Sequence, residues 1–385
     1  WGINSEHELG ILPSVDAYNR VMDIHNSYDS RQTDNTHTLG AFLVWNKRTT
    51  KSEWWAQLVP NLSLLSRTMH YHSGNVDTTF TKRSILYNMY STFIKWRSTD
   101  HKYEFMLQYH VNGQAPDMNL FVNILNTTDP LNVTMGNTNL KPSYKHELIS
   151  HFLRIYPKKG LMWLIEAQYI PTVNAIAMGY TYDKATGKRT FRPDNVNGNW
   201  RGQLALGGAG PLTKNRKLDF KAMAGLRYEK SVDLIGLAGT SASNRSIVES
   251  LNYVGDLQLN YRLGQSSIGF ISKGNWAHVD GTREDFESFN VSDFNYGLTA
   301  QLQLPWDFRL GTDLTMYSRR GYLDKSMNSD DLVWNARLSR SFFKGQLTLL
   351  LDGFDILGQL NNVTRTMNAQ GITETYSNVI PRYVM

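Results

Sequence analysis

An all-β fold, an antiparallel β-barrel that crosses a membrane, is predicted by three features of this sequence. The first is strict alternation of apolar and polar residues over unusually long runs, the second is a succession of short turns and long polar segments, and the third is an aromatic content of 12% in a chain of 385 residues. Leu251 to Ala277 shows the alternation best. Leu251, Tyr253, Gly255, Leu257, Leu259, Tyr261 and Leu263 share one strand face, while Asn252, Asp256, Gln258, Asn260 and Arg262 share the other. The chain turns at Gly264 and Gln265, and a second run places Ile268, Phe270, Ser272, Gly274 and Trp276 against Gly269, Lys273 and Asn275. A hairpin follows, with arms of about a dozen residues, roughly twice an ordinary globular strand and close to what a tilted strand needs to cross a bilayer.

The same pattern recurs along the chain. Tyr103, Phe105, Leu107, Tyr109 and Val111 alternate with Glu104, Gln108 and His110; Leu218 to Tyr228, Leu298 to Leu304 and Leu332 to Leu338 behave alike, and helical spacing explains none of them as well. Short turns are expected near Thr50, Asp100, Lys159, Lys214, Gly264, Pro305 and Lys344, roughly every 40 to 60 residues. Long polar segments lie between them: Asn112 to Lys141, Asp183 to Asn199, Leu234 to Ser250, His278 to Ser292, Arg319 to Asp331 and Asp355 to Ser377. That asymmetry fits the periplasmic and extracellular ends of a barrel rather than a soluble sandwich. The turns imply about fourteen strands, and Asn378 to Met385 supplies part of another.

Composition bounds the alternatives. Tyr 20, Phe 16 and Trp 10 suffice for two aromatic girdles, and Trp200, Trp276 and Trp334 fall in the outward phase. The mean hydropathy of -0.42 is what a barrel shows when every second strand residue meets water. The longest apolar region, Gly160 to Tyr180, is broken by Glu166, Gln168, Pro171 and Asn174, so no transmembrane helix is expected. With no Cys, thiolate chemistry and Cys-based zinc sites are excluded. The net charge of +6 is scattered, and no nucleic-acid patch stands out. The chain opens at Trp1 with no initiator Met, charged n-region or apolar h-region, and it stops at Met385 inside what reads as a strand. All 385 residues are therefore read as a piece of a longer chain.

Two regions carry a family resemblance. Gln114-Ala-Pro116, Asp129-Pro130-Leu131 and Gly136-Asn-Thr-Asn-Leu-Lys-Pro142 resemble the signature of the TonB-dependent receptor-like outer-membrane barrels of Bacteroidota, in which the last block usually reads Gly-Asn-Pro-Asn-Leu-Lys-Pro-Glu. Thr138 and Ser143 depart from it. Phe354-Asp-Ile-Leu-Gly-Gln359, Asn361-Asn362 and Pro381-Arg-Tyr383 are similar to that family's last long loop and final strand. The resemblance implies a twenty-two-stranded barrel around an N-terminal plug; residues 1–385 would be the C-terminal portion of that outer-membrane barrel domain, with about 15 strands present here and the plug, the TonB-contacting segment and the first strands outside the sequence. It further implies uptake of a glycan, peptide or chelated metal. The implied partners are outer-membrane lipid, TonB through the N-terminal part, and a surface lipoprotein. The alternative is a non-transporting barrel subunit of an outer-membrane assembly or secretion complex.

Candidate ligand-binding residues follow from strand phase. On the strand Phe308 to Tyr317 the polar phase is Arg309, Asp313, Thr315 and Tyr317, and Arg319 continues it to where a hydroxylated or anionic ligand would sit beneath the loops. The plainer reading of Arg319 is a rim charge balancing Asp324, Asp330 and Asp331. Lys273, Asn275 and Arg201 are inward-facing candidates of the same kind. His70 and His72 share a face at a spacing that could chelate a metal, but no third ligand is nearby in sequence, and no metal or cofactor is expected. His146 with Ser150 or His151 has a spacing an outer-membrane phospholipase could use. No Gly-x-Ser-x-Gly or orienting partner accompanies them, so an enzyme is not expected.

Overall fold

The computed structural model describes residues 2–8, 11–12, 21–22, 27–74, 76–122, 129, 131–183, 185–236, 243–283, 286–322, 325, 328–359, 363–368, 371–376 and 382–385. Its first elements are β1 (Gly2–Glu8), the small pair β2 (Ile11–Leu12) and β3 (Val21–Met22), and the pass formed by β4 (Tyr28–Gly40) and β5 (Leu43–Arg48). The next pass, β6 (Ser52–Leu58) and β7 (Pro60–Ser73), returns along it, followed by β8 (Val76–Ser98) and β9 (Tyr103–Gln114). A loop carrying β10 (Asn132–Thr134) leads to β11 (Ser143–Tyr156) and β12 (Leu161–Val173), and the hairpin β13 (Ala175–Tyr182) and β14 (Arg189–Val196) precedes β15 (Asn199–Pro211). Then come β16 (Leu218–Gly236), β17 (Ser243–Leu263), β18 (Ser266–Gly281), β19 (Phe289–Gln303), β20 (Arg309–Arg320), β21 (Asp330–Phe342) and β22 (Leu347–Phe354). The hairpin β23 (Val363–Asn368) and β24 (Gly371–Tyr376) and the short β25 (Tyr383–Val384) complete the set.

Eighteen of these segments form one antiparallel sheet running from β1 to β25. Among the described residues β1 pairs only with β4 and β25 only with β22, so no ladder joins the two ends. All seven expected turns are present, and they connect fourteen long passes once β4–β5 and β6–β7 are each taken as one. The Gly264 hairpin is the tightest: Leu263 pairs with Ser266, so two residues make the turn, and Gly264 stands at φ 64, where only glycine is free of Cβ strain. The Asp100 turn is held by side chains, with Ser98 Oγ donating to Asp100 Oδ1 at 2.7 Å and Lys102 Nζ lying 2.6 Å from Asp100 Oδ2. These bonds, the Lys102 one foremost, pull the Asp100 carboxyl down to about 2.

The alternation sorts the two faces as expected. Tyr253, Leu257, Tyr261 and Leu263 of β17 are exposed on the outer face, together with Leu204, Leu206 and Leu298, whereas Asn252 on the opposite phase is buried. Aromatic rings mark two levels on that outer face. Trp276 packs on Tyr253 at 5.4 Å and Trp200 on Tyr228 at 4.8 Å at one level; Trp163 meets Phe220 at 6.1 Å at the other. Arg154, over Tyr103 at 3.8 Å, and Arg340, over Phe342 at 4.6 Å, join the second level. Tyr253 and Tyr261 are eight residues apart, about 26 Å along the strand and roughly 20 Å of depth at the usual barrel tilt. Lipid-facing rings bracketing an apolar band of that height are girdle residues.

The segments expected as loops are shorter than alternation indicated. β16 runs to Gly236 and β17 starts at Ser243, where a loop over Leu234 to Ser250 was expected; β18 and β19 likewise take up both ends of His278 to Ser292, and β13 and β14 fill much of Asp183 to Asn199. The physical reason is that one face of each projecting strand is covered by partners distant in sequence. Val232 and Leu234 are buried against Ala177 and Val196 of the β13–β14 hairpin, and Val248, Ala277, Val279, Phe289 and Val291 form a second small core. The inner phase is therefore not uniformly wet. Met69 packs with Met118, Phe121 and Leu140, because the chain after β9 folds back onto the inner faces of β7 and β8. The tail strand expected from Asn378 lies outside the described residues up to Pro381, and only Tyr383–Val384 pairs.

Candidate functional site

Four inner-face strands position the site by register alone. Asp256 stands opposite Lys273, Lys273 opposite Asn295, and Asn295 opposite Tyr317. Two residues toward the long-loop end, Val254, Asn275, Asp293 and Arg319 form a parallel row. Neighbours within a row are about 4.8 Å apart and the rows about 6.7 Å apart, so the side chains tile one concave patch. They line a cavity of about 520 Å³ together with Met223 and with Tyr322, which descends from the loop after β20.

Three of the cavity's charged groups have partners within it. Lys273 Nζ lies 3.3 Å from Asp256 Oδ2, and the Tyr322 hydroxyl donates to both Asp293 carboxylate oxygens, at 2.9 and 2.7 Å. Asn275 Oδ1 is buried, out of contact with the cavity space, and has no hydrogen-bond partner. Tyr317 is 42% exposed, its ring presented to the interior. Tyr322 and Phe286 also pack on the apolar core above the cavity, and Tyr322 is the one of the two that reaches the cavity lining.

Four of the five candidate residues, Lys273, Asn275, Tyr317 and Arg319, therefore meet in one place. Arg201 does not. It faces the interior from β15 opposite Glu229, in the row that reaches Val279 and Phe289, four residues or about 13 Å above the row of Asn275. Both arginines at the rim act on its carboxylates: Arg320 Nη2 donates to both Asp330 oxygens at 2.8 and 2.7 Å, and the Arg319 charge acts on Asp331; Asp324 lies outside the described residues. Sequence reasoning missed Asp293 and Tyr322. Asp293 carries the right parity with Asn295, but the expected loop to Ser292 hid its strand; Tyr322 follows β20 and no local signal marks it.

The histidines go elsewhere. His70 Nδ1 bonds Thr79 Oγ1 at 2.7 Å and His72 Nδ1 is 3.9 Å from Asp77, and among the described residues no group of three or more His, Cys, Asp or Glu is placed to hold a metal ion. His146 Nδ1 bonds the Tyr109 hydroxyl at 2.8 Å, while His151 Nδ1 is 3.5 Å from Glu166 on the opposite phase of β11.

The signature blocks prove to be a clasp for the loops. Asn137, only 4% exposed, donates from Nδ2 to the Pro193 carbonyl at 2.9 Å, and Asn195 bridges the Lys141 backbone, accepting at 2.7 Å and donating at 3.0 Å. Gly136 is obligatory, since a Cβ there would sit 2.4 Å from the Val122 carbonyl oxygen. Arg67 Nη1 donates to the Pro116 carbonyl at 2.9 Å, pinning the first block to β7. In the last block, Asp355 Oδ1 accepts from Gln359 N at 3.1 Å and Asn335 Oδ1 accepts from Asp355 N at 2.9 Å, which seats the segment on β21.

Residues 91–385 match the model of the outer membrane protein beta-barrel family. The chain belongs to that family. Neither a curated protein nor a solved structure matches it. Membership covers the wall from β9 onward, the clasp and the whole cavity, and it places the protein in the bacterial outer membrane, with Leu257 and its outward neighbours against lipid. Outside the membrane, loop carboxylates stabilise local turns. Asp183 is held below the usual carboxylate range by the Thr186 hydroxyl, which donates at 2.7 Å, and then by the Ala185 amide; Asp129 is lowered by the Asn132 amide group and the Leu131 N–H.

Proposed function

We propose that the protein is an outer-membrane receptor and transporter of the TonB-dependent kind, capturing a ligand beneath its extracellular loops and passing it inward through the barrel. The observation that carries this reading is the convergence of Lys273, Asn275, Tyr317 and Arg319, from two strands, in one inner-face cavity that the loop residue Tyr322 also lines. The resemblance of the clasp to the TonB-dependent receptor signature supports the same reading, and it assigns energy coupling to TonB through an N-terminal part and ligand delivery to a surface lipoprotein.

The test is ligand accumulation in cells producing the full-length protein, with and without a proton gradient. Arg319→Ala with Tyr317→Ala is expected to lower accumulation at least tenfold without changing the amount of heat-modifiable barrel in the membrane. Accumulation indifferent to both the gradient and the double substitution would refute transport and favour a non-transporting subunit.

A further inference from the structure

We infer that a groove on the lipid-facing side of β5, β6, β8 and β9 holds one acyl chain of an anionic phospholipid from the periplasmic leaflet, with Lys47 and Lys51 set for its phosphate. The site lies on the outer wall and stands apart from the inner cavity and from transport.

The groove follows from residue size. On the outward phase Trp45 stands opposite Ala56, Ala56 opposite Ile94 and Ile94 opposite Leu107, while Thr92 stands opposite Tyr109 in the next row. Ala56 and Thr92 are small beside Trp45, Leu107 and Tyr109, so they make a floor between larger walls. The space left is about 380 Å³, within the range of about 300–1,000 Å³ usual for small-ligand sites.

A bulge shapes that floor. The register of β8 on β9 slips between Met89 and Thr92, with Ser91 at φ 48, and Gln57 Nε2 donates to the Ser91 carbonyl at 2.8 Å. The Thr92 hydroxyl oxygen accepts from Val59 N at 3.2 Å, and the Tyr109 hydroxyl bonds His146 Nδ1 at 2.8 Å. The polar side chains at the groove are thus hydrogen-bonded within the wall, and an apolar ligand breaks none of these bonds.

Depth names the leaflet. Ala56 and Ile94 each lie six residues from the centre of a short turn, at Thr50 and Asp100, about 20 Å along the strand and roughly 15 Å of depth at the usual tilt. Between them and those turns Trp54 packs on Trp96 at 6.4 Å, with Phe105 opposite Trp96, a girdle at the short-turn end. The groove starts one row above that girdle and ends below the middle of an apolar band about 25 Å tall. Short turns mark the periplasmic side, whose leaflet is built of phospholipids.

Charge names the headgroup. Lys47 continues the outward phase of Trp45 and stands opposite Trp54 at the girdle; it and Lys51 in the turn are exposed. Arg48 pairs with Glu53 at 3.1 Å and Lys102 with Asp100 at 2.6 Å, but among the described residues neither Lys47 nor Lys51 has a carboxylate partner. Two unneutralised ammonium groups below an acyl groove suit a lipid phosphate. A strand added to the edge of β5 would lie in the plane of the sheet and leave this outward face open.

The experiment is native mass spectrometry of the full chain in detergent, with phosphatidylglycerol, phosphatidylethanolamine and inorganic phosphate as probes. One phosphatidylglycerol per chain is expected, held about tenfold tighter than phosphatidylethanolamine and not displaced by phosphate. Ala56→Phe, which fills the floor, is expected to weaken it about tenfold, and Lys47→Gln with Lys51→Gln to bring the two lipids within about twofold, with heat-modifiable migration kept. Ala300→Phe, five residues from the Pro305 turn on the outward phase of β19, is the control and is expected to leave binding unchanged. Equal effects of Ala56→Phe and Ala300→Phe, or no effect of either, would mean unspecific boundary lipid and overturn the site. Equal affinity of the unsubstituted chain for both lipids overturns the headgroup assignment, as does displacement by phosphate. Lipid-free dimers that Ala56→Phe dissociates would put a second copy of the chain in the groove instead.

Discussion

Leu257→Arg and Gln258→Arg place the same charge on adjacent residues of β17, and their comparison tests which face meets lipid. Leu257 is exposed on the outer face four residues from both Tyr253 and Tyr261, which puts it near the middle of the apolar band. An arginine on the lipid face of a barrel at the bilayer midplane costs about 2–4 kcal/mol, a factor of roughly 30 to 1,000 in the folding equilibrium. Gln258 faces the interior opposite Lys221 and Ile271, and beside it on its own strand Gln258 Nε2 donates to Asp256 Oδ1 at 3.3 Å. Arginine there remains in a wet, carboxylate-bearing interior, and a change of about 0.5 kcal/mol or less is expected. The assay is urea unfolding of the protein refolded into lipid vesicles, read by heat-modifiable migration and tryptophan fluorescence. Equal destabilisation by both substitutions, or a larger effect at Gln258, would show that the two faces are assigned the wrong way round.

Other outcomes follow from the clasp and the loops. Gly136→Ala forces backbone at Val122 to move and should cost about 1–3 kcal/mol locally; protease cutting between residues 115 and 142 on intact cells should rise sharply, with the barrel itself still heat-modifiable. Asn137→Ala leaves the buried Pro193 carbonyl without its donor at about 1–3 kcal/mol and should loosen the same loop. Tyr322→Phe removes the hydroxyl that binds Asp293 and should raise protease access to residues 321–329 while leaving the barrel intact. For Asp183 the folded pKa is depressed, so its contribution to the β13–β14 turn is present above the ordinary carboxylate pKa and fades as pH falls through the lowered value. Amide exchange in residues 183–188 should be flat from neutral pH to about 5 once corrected for intrinsic rates, and protection should drop on further acidification; Asp183→Asn should abolish that drop.

Within the membrane the fold was legible because lipid and water impose opposite demands on successive side chains. Leu257 and Gln258 show this directly, as do Tyr253 and Asn252. The turns were legible through Gly264, Pro305 and the Ser98–Asp100–Lys102 group, whose chemistry is local. Above the membrane the signal failed. Val232, Leu234 and Val279 belong to strands whose buried face is covered by partners distant in sequence, which no local pattern announces. The candidate site was legible only in part: parity put Lys273, Asn275, Tyr317 and Arg319 on the inner face, but parity alone also admitted Arg201.

What the residue order determined by itself is the identity of the two faces and the seven tight turns, since each depends on side chains within a few positions of one another. What the tertiary structure decided is which inward residues meet. Ladder register aligned Asp256 with Lys273, Asn295 and Tyr317 across more than sixty residues of chain, and the clasp at Gly136 and Asn137 fixed loops over inner faces that sequence reading left wet. A shift of one residue in any of those ladders would turn a whole strand inside out, and that constraint acts only once neighbouring strands have paired.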